Sequence, residues 1–340
     1  MTTSLTSRSI PLPSRTSASI ALTCAAVAAL VVGSGAAEAA VPSAVVAPAT
    51  VGDGVVGSWS ALGTSTDLRV NALAMNDHTL YVGGDFNTAG GVSGTSRIAA
   101  WSTSTQTWHA LGIGVDSSVW TLTSRDDTVY AGGYFTAASG VASTVRIAAW
   151  AEHDDTWLSI GSTPNDVVLT SALQGDDTLA VGGAFTTPTQ WLSLVDLNNS
   201  SWVAPAAGLN NRLEALAGPG SQPTASGDDT LYVGGPFTTP SGGIAALAPG
   251  AASWSALGGG LNDEVRSIAV AGQQTASTVD DTVYAGGYFT DAGGSASGDY
   301  IAAWASVTNT WSALGAGLNT RPVLAIAVDD TRGLVYAGGD

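Results

Sequence analysis

Lysine is absent from the 340 residues, and cysteine occurs once, as Cys24. The ten basic residues are therefore all arginine, set against 27 Asp and Glu for a formal net charge of −17. So acidic a chain lacks the basic footprint that nucleic acid requires, and no nucleic-acid partner is expected. Cys24 falls inside an N-terminal leader: Arg8 and Arg15 precede an apolar run from Ile20 to Val32, and Ala37-Glu38-Ala39 supplies a small-x-small cleavage pattern. Residues 1–39 thus read as a secretory signal peptide, and Ala21-Leu22-Thr23 before the cysteine fit a lipid-attachment box poorly. Its removal leaves no thiol, which excludes disulfides, thiolate metal sites and a cysteine nucleophile. It also takes two arginines and Glu38, leaving eight cations against 26 anions, a net charge of −18. Long hydrophobic runs are missing too, since the stretch 20–32 is short for a bilayer and no later one exceeds it. The expectation is a secreted, extracellular or cell-surface protein, monomeric, with no membrane insertion after signal removal. Histidine is scarce as well. His78, His109 and His153 stand at non-equivalent places, which argues against a three-histidine metal site.

What the chain has in abundance is repetition. The phrase Asp281-Thr282-Val283-Tyr284-Ala285-Gly286-Gly287-Tyr288-Phe289-Thr290 is one of six copies, with glycine pairs at Gly83-Gly84, Gly132-Gly133, Gly182-Gly183, Gly234-Gly235, Gly286-Gly287 and Gly338-Gly339. Successive pairs are 49, 50, 52, 52 and 52 residues apart, a period that belongs to propellers and solenoids. Each period holds four short apolar pieces. The first alternates, as in Val265-Arg266-Ser267-Ile268-Ala269; the second carries the glycine pair. The third is Ile98-Ala99-Ala100-Trp101 or its relatives at 147–150, 194–197, 244–247 and 301–304, and the fourth is a TWxALG segment. Alternation over about five residues between Gly, Asn and Asp marks a half-buried strand, and a Gly-Gly within a strand marks a bulge or a close backbone approach. Four hairpin-linked strands per repeat make the blade of a β-propeller. The fold class expected is all-β, a propeller of four-stranded antiparallel blades, about six of them, or a truncated larger propeller. Residues 58–340 form that domain, and residues 40–57 are a linker or a ring-closing strand. The third and fourth copies are irregular: Ala180 replaces the usual Tyr, Pro236 follows a glycine pair, and Leu247 replaces a Trp. The sixth copy has only two of its four pieces, so either residues 44–62 supply the missing outer strands or further blades follow.

The [LV]-Y-x-GG strand, followed by a strand ending in Trp and by a second Trp seven residues later (Trp101 and Trp108, Trp150 and Trp157, Trp304 and Trp311), resembles the kelch blade. The IAAW variant resembles still more the extracellular propeller repeats of fungal cortical polarity markers and of secreted bacterial repeat proteins. The resemblance spans Ser58 to Asp340. It implies the propeller fold and leaves function open, because kelch-like propellers include enzymes, adhesins and scaffolds. The galactose-oxidase type of copper chemistry needs a Cys-Tyr crosslink that the mature chain cannot form. The S-x-D-x-G-x-x-W boxes of sialidases are absent, and no carboxylate pair stands apart from the repeat as a candidate for hydrolysis.

In a four-stranded meander, the inter-blade crossover and the second-to-third-strand loop share one face. The other two turns share the opposite face. The latter carries acidic pairs, such as Asp126-Asp127, Asp228-Asp229 and Asp280-Asp281. These read as turn caps in preference to a calcium cage, because two adjacent carboxylates make a poor cage. The former face collects Arg69, Arg97, Arg146, Arg212, Arg266 and Arg321, six of the eight mature arginines. Forked guanidinium donors there suit an anionic group, an acidic sugar or a partner carboxylate. The repeating tryptophans read as packing between blades, whereas Trp120 and Trp191 break the repeat and stand as candidates for ligand stacking. The residue after each glycine pair also varies: Asp85, Tyr134, Ala184, Pro236, Tyr288 and Asp340. The function expected is a non-catalytic propeller binding a glycan or protein ligand through its loop face, without cofactor. The alternatives are a structural or adhesive module of a larger envelope protein, or a carbohydrate-active enzyme.

Overall fold

The computed structural model of the protein describes residues 61–175, 177–218, 230–271, 282–294, 298–315, 318, 321–329 and 332–339. The leader at 1–39, the segment 40–57, the acidic pairs at 228–229 and 280–281, and Asp340 lie outside the described residues. The described chain is all-β, with six antiparallel sheets in series.

Blade 1 comprises β1 (Val70–Asn76), β2 (Thr79–Gly84), β3 (Ile98–Ser102) and β4 (Thr107–Ala110), and blade 2 comprises β5 (Val119–Arg125), β6 (Thr128–Gly133), β7 (Ile147–Ala151) and β8 (Thr156–Leu158). Blade 3 comprises β9 (Val168–Leu173), β10 (Thr178–Gly183), β11 (Leu192–Asp196) and β12 (Ser201–Val203), and blade 4 comprises β13 (Ala215–Ala217), β14 (Leu231–Gly234), β15 (Ile244–Leu247) and β16 (Ser255–Ala256). Blade 5 comprises β17 (Val265–Ala271), β18 (Thr282–Gly287), β19 (Ile301–Ala305) and β20 (Thr310–Ala313), and β21 (Val323–Asp329) and β22 (Leu334–Gly339) form a two-stranded blade 6. Within each four-stranded sheet the strands pair in chain order, or its mirror, as a meander. The first strands of successive blades pack side by side, β1 on β5 through to β17 on β21, and so form the inner wall of a propeller. The departures from pattern in the third and fourth copies leave both blades four-stranded.

The glycine pair has two separate duties. A Cβ on Gly132 would lie 2.5 Å from Cγ1 of Val168 on the next blade's inner strand, and a Cβ on Gly133 would lie 2.1 Å from the carbonyl oxygen of Ser118 in its own blade. The first glycine therefore admits the neighbouring blade, and the second admits a bulge in the first strand. Side chains bury in register with this frame. Each of the five phenylalanines, Phe86, Phe135, Phe185, Phe237 and Phe289, stands two positions after a glycine pair and is at most 1% exposed. Trp101 and Trp108 meet edge to face at 5.2 Å between centroids, and Trp150 and Trp157 do so at 5.4 Å. The outer-strand tryptophans of blades 2, 3 and 5 also tie their blade to the one before it. Nε1 of Trp157 donates to the Leu111 carbonyl, that of Trp202 to Ile160 and that of Trp311 to Leu257, at 2.8–3.0 Å. Their repetition thus answers to inter-blade packing, with the indole N–H satisfied by a loop of the neighbour in blades 2, 3 and 5, while that of Trp254 in blade 4 is buried without a partner.

Candidate functional site

The face formed by the crossovers and the second-to-third-strand loops is built from four positions that recur in blades 1, 2, 3 and 5 while their residues change; in blade 4 the second of them is Pro236, which has no N–H to donate. The first is the bulge. Val70 pairs with Gly84 and Ala72 with Gly83, so Asn71 is the extra residue; Trp120, Leu169, Arg266 and Leu324 are the extra residues of blades 2, 3, 5 and 6. Glu214, whose amide donates to the Gly234 carbonyl, takes the equivalent place in blade 4. The second position is the residue after the glycine pair, whose N–H closes the bulge: Asp85 donates to the Arg69 carbonyl, Tyr134 to Ser118, Ala184 to Val167 and Tyr288 to Glu264, at 2.8–3.1 Å. The third is the residue whose carbonyl accepts that bond.

The fourth position precedes the third strand, and there the backbone is left-handed. Arg97, Arg146, Trp191, Gly243 and Tyr300 have φ of 65, 67, 65, 69 and 63°. Each donates its N–H to the carbonyl of the blade's buried phenylalanine and accepts the N–H of the second glycine. Trp191 therefore does not stand outside the repeat, as the sequence pattern implied; it occupies the place that Arg97 and Arg146 hold in blades 1 and 2. It packs against the cluster of Leu192, Leu213 and Phe237 with its indole N–H unpaired.

A further tether was missed in the sequence. Oδ1 of Asp67 accepts the amides of Asn87 and Thr88, Asp116 those of Thr136 and Ala137, Asn165 those of Thr186 and Thr187, Asn210 those of Thr238 and Thr239, and Asn262 those of Thr290 and Asp291. One Asp or Asn ahead of each of blades 1 to 5 thus pins the loop after the phenylalanine, which fixes the face. The clue was an Asp or Asn at a near-constant distance before each inner strand. Backbone donation to Asp67, chiefly from Thr88, holds its carboxyl below the usual value.

The arginines on this face fall into two groups. In blades 1 and 2, Arg69 donates through Nε and Nη2 to Oδ2 of Asp85, at 2.9 and 2.6 Å, and lies 5.4 Å over the ring of Trp120. Burial pushes the Asp85 carboxyl upward, but hydrogen bonds from Ser118, Arg69 and Asn71 outweigh it and the group titrates below its usual value. Arg97 donates through Nη1 to the Asp85 carbonyl, and Arg146 through Nη1 to the Tyr134 carbonyl, while its guanidinium sits 4.6 Å over the Tyr134 ring. The Nε atoms of Arg97 and Arg146 are buried without a partner, and neither side chain has a carboxylate within ion-pair distance among the described residues.

In blades 4 and 5 the pattern inverts. Arg212 pairs with Glu214 at 2.6 Å and with Glu264 at 3.7 Å; Arg266 pairs with Glu264 at 2.9 Å and with Glu214. The two carboxylates are 10% and 19% exposed, and Arg266 also lies 5.7 Å from the Tyr288 ring. Burial, with the neighbouring Glu214 charge, raises the Glu264 pKa despite the arginines. Arg321 is exposed and makes no ion pair among the described residues. The face is thus patterned blade by blade, where the sequence had implied a uniform basic rim.

On the opposite face Arg125 meets Asp126 at 3.3 Å and Asp177 at 3.4 Å, and Arg332 meets Asp329 at 3.1 Å. Asp77 and Asp126 have φ of 45 and 46°, the left-handed geometry of tight hairpin turns, which is the role that turn chemistry assigns them. Among the described residues no three His, Cys, Asp or Glu side chains gather as a cation cage, and no helix is long and apolar enough to cross a membrane.

No protein-family model matches the chain, and no curated protein does. A solved structure that is similar to it is the extracellular domain of a putative one-component system from B. thetaiotaomicron, with a TM-score of 0.52 and 13% identity over 80% of this chain. The chain spans 31% of the length of that domain, so the likeness is one of fold.

Proposed function

We propose that this chain is a secreted or cell-surface, non-catalytic β-propeller that binds a glycan or protein ligand through the face of its crossovers and second-to-third-strand loops. The observation that carries the reading is the contrast between fixed backbone and changing side chains at four positions of that face. The bulge repeats from blade to blade while its occupant runs from Asn71 to Trp120, Leu169 and Arg266. A frame held constant with variable polar and aromatic side chains on one rim is how repeat scaffolds present a binding surface. Export follows from the leader, and the non-catalytic role from the lack of any carboxylate or nucleophile constellation in the sequence. The kelch-like character of the blade belongs to the same proposal and rests on the Tyr-x-Gly-Gly strand and the paired tryptophans.

The mature chain is to be screened on a glycan array and in pull-downs against surface extracts. A ligand lost on substitution at Trp120 or Arg69, and kept on substitution of Arg125, is the expected result. Turnover of a polysaccharide abolished by one Asp or Glu change would replace this reading with an enzyme.

A further inference from the structure

We propose that the part of this face formed by blades 1 and 2 docks carboxylates of an acidic polysaccharide, with Arg97 and Arg146 each binding one. The proposal rests on the ligand-binding reading above and narrows it to one sector and one ligand chemistry.

The backbone is the first argument. The position before the third strand is left-handed in every four-stranded blade, a conformation that glycine adopts freely and arginine does not. Blade 4 has Gly243 there, with the same pair of backbone hydrogen bonds, so the hairpin closes without a side chain. Trp191 uses the position for packing. Two adjacent blades place a long cation there, and neither guanidinium packs into a core cluster or meets a carboxylate.

The donors are the second argument. Nη1 of each guanidinium is committed to a carbonyl twelve residues earlier in its own blade, which fixes the orientation of the planar group. Nε has no acceptor in either residue, and Nη2 makes no hydrogen bond among the described residues. Nε is covered by protein in both residues, so Nη2 is the donor left for a ligand, and a planar group held at one edge presents it in a fixed direction to a carboxylate oxygen. The local acids do not compete for it. Asp85 is engaged by Arg69, and Asp67 and Asp116 are occupied by loop amides.

The surroundings favour a sugar over an acidic peptide. Tyr134 is 50% exposed beside Arg146, and Trp120 lies under Arg69, which gives flat apolar surface for sugar C–H groups. Asn71, Asp85 and Ser118 form one small network of donors and acceptors, suited to hydroxyls. The second and third strands, whose loop carries Tyr134 and Arg146, are paired on both sides in these blades, so they offer no strand edge for an extended peptide to join. The overall negative charge of the chain acts at long range and is screened beyond about 8 Å at physiological ionic strength, so recognition depends on these contacts.

The test is binding of the full mature chain to immobilised polygalacturonate, with neutral dextran and poly-glutamate as the other probes. Wild-type protein is expected to bind polygalacturonate only. R97G/R146G, which installs the residue that blade 4 already carries, should weaken binding at least tenfold with an unchanged melting curve. R97K/R146K should restore only part of it, because charge returns without the fork, and R125A should stay within twofold of wild type. Absence of polygalacturonate binding, equal binding to dextran, full affinity in R97G/R146G, or tighter binding to poly-glutamate would each overturn the assignment. A ligand that binds this face independently of Arg97 and Arg146 would overturn it and leave the broader reading intact, whereas one lost in R125A would overturn both.

Discussion

Blades 1 and 2 and blades 4 and 5 present arginine on the same face of the same frame and treat it in opposite ways. In the first pair of blades two guanidinium groups are braced against backbone carbonyls and meet no carboxylate; in the second, two arginines and two glutamates neutralise one another across the blade boundary. The frame does not account for the difference, since the bulge recurs in blades 1, 2 and 5 and the left-handed hairpin position in all four blades. The difference lies in single residues: Glu214 occupies the bulge of blade 4 where Trp120 occupies that of blade 2, and Glu264 stands where blade 2 has Ser118. One sector therefore leaves two guanidinium groups without a carboxylate, and the other sets its arginines against glutamates across the boundary between two blades.

The comparison assumes a shared frame, and the largest expected effect tests it. A Cβ on the second glycine of the pair would fall 2.2 Å from a carbonyl oxygen in blade 1, 2.1 Å in blade 2, 2.5 Å in blade 4 and 2.1 Å in blade 5. Backbone cannot yield as a side-chain tip does. Gly133→Ala and Gly287→Ala should therefore each cost about 2–3 kcal/mol in urea unfolding, by forced overpacking against main chain. Equal losses sharpen the comparison; tolerance in one sector only would show that the bulge is not equivalent, and the contrast between arginines would lose its control.

A smaller effect is expected from Glu214→Ala. Its carboxylate serves both Arg212 and Arg266 and is almost covered, but the arginines are about a third exposed, which reduces the loss through solvent screening. The expected destabilisation is about 1–2 kcal/mol. The variant should also bind an anion-exchange competitor such as polygalacturonate more tightly than wild type, because Arg212 and Arg266 would then share Glu264 alone. If stability falls and polyanion binding does not change, charge balance is not what separates the sectors.

The frame was largely legible in the sequence, because its requirements are met by residue types that repeat: two glycines for two close approaches, a buried phenylalanine, and paired tryptophans whose indoles reach the preceding blade. The separation of the arginines onto one face was legible from strand order alone. Their division into paired and unpaired groups was not. That division depends on contacts between residues about fifty positions apart, such as Arg266 with Glu214, and on which residue fills a bulge whose register the sequence does not display. Trp191 misled for a related reason. It differs in kind from Arg97 and Arg146, and only the shared left-handed backbone identifies the three as one position.

The smallest effect concerns the loop tethers, which are Asp67 and Asp116 in blades 1 and 2 but Asn165, Asn210 and Asn262 in blades 3 to 5. Asn accepts the same two amide bonds without charge, so Asp116→Asn should change stability by less than about 1 kcal/mol at neutral pH. Acid separates the two chemistries. Burial raises the Asp116 carboxyl, but donation from the Thr136 side chain and from backbone amides lowers it further, so its folded pKa lies below the ordinary 3.8. Such a group stabilises the fold above its unfolded pKa, and the contribution is lost as pH falls through 3.8 and below. Glu264 acts in the other direction. Its raised pKa means that the folded state holds the proton more tightly, so its unfavourable contribution is present above the folded pKa and is relieved as pH falls toward 4.5. The double variant Asp67→Asn/Asp116→Asn should therefore flatten the acid limb of the stability curve below pH 4, while Glu264→Gln should alter the limb above 4.5 and leave the lower one unchanged. Thermal melts between pH 3 and pH 7 read both limbs. If the double variant kept the wild-type acid limb, the charge on the tethers would be incidental, and blades 1 and 2 would differ from blades 4 and 5 in their arginines alone.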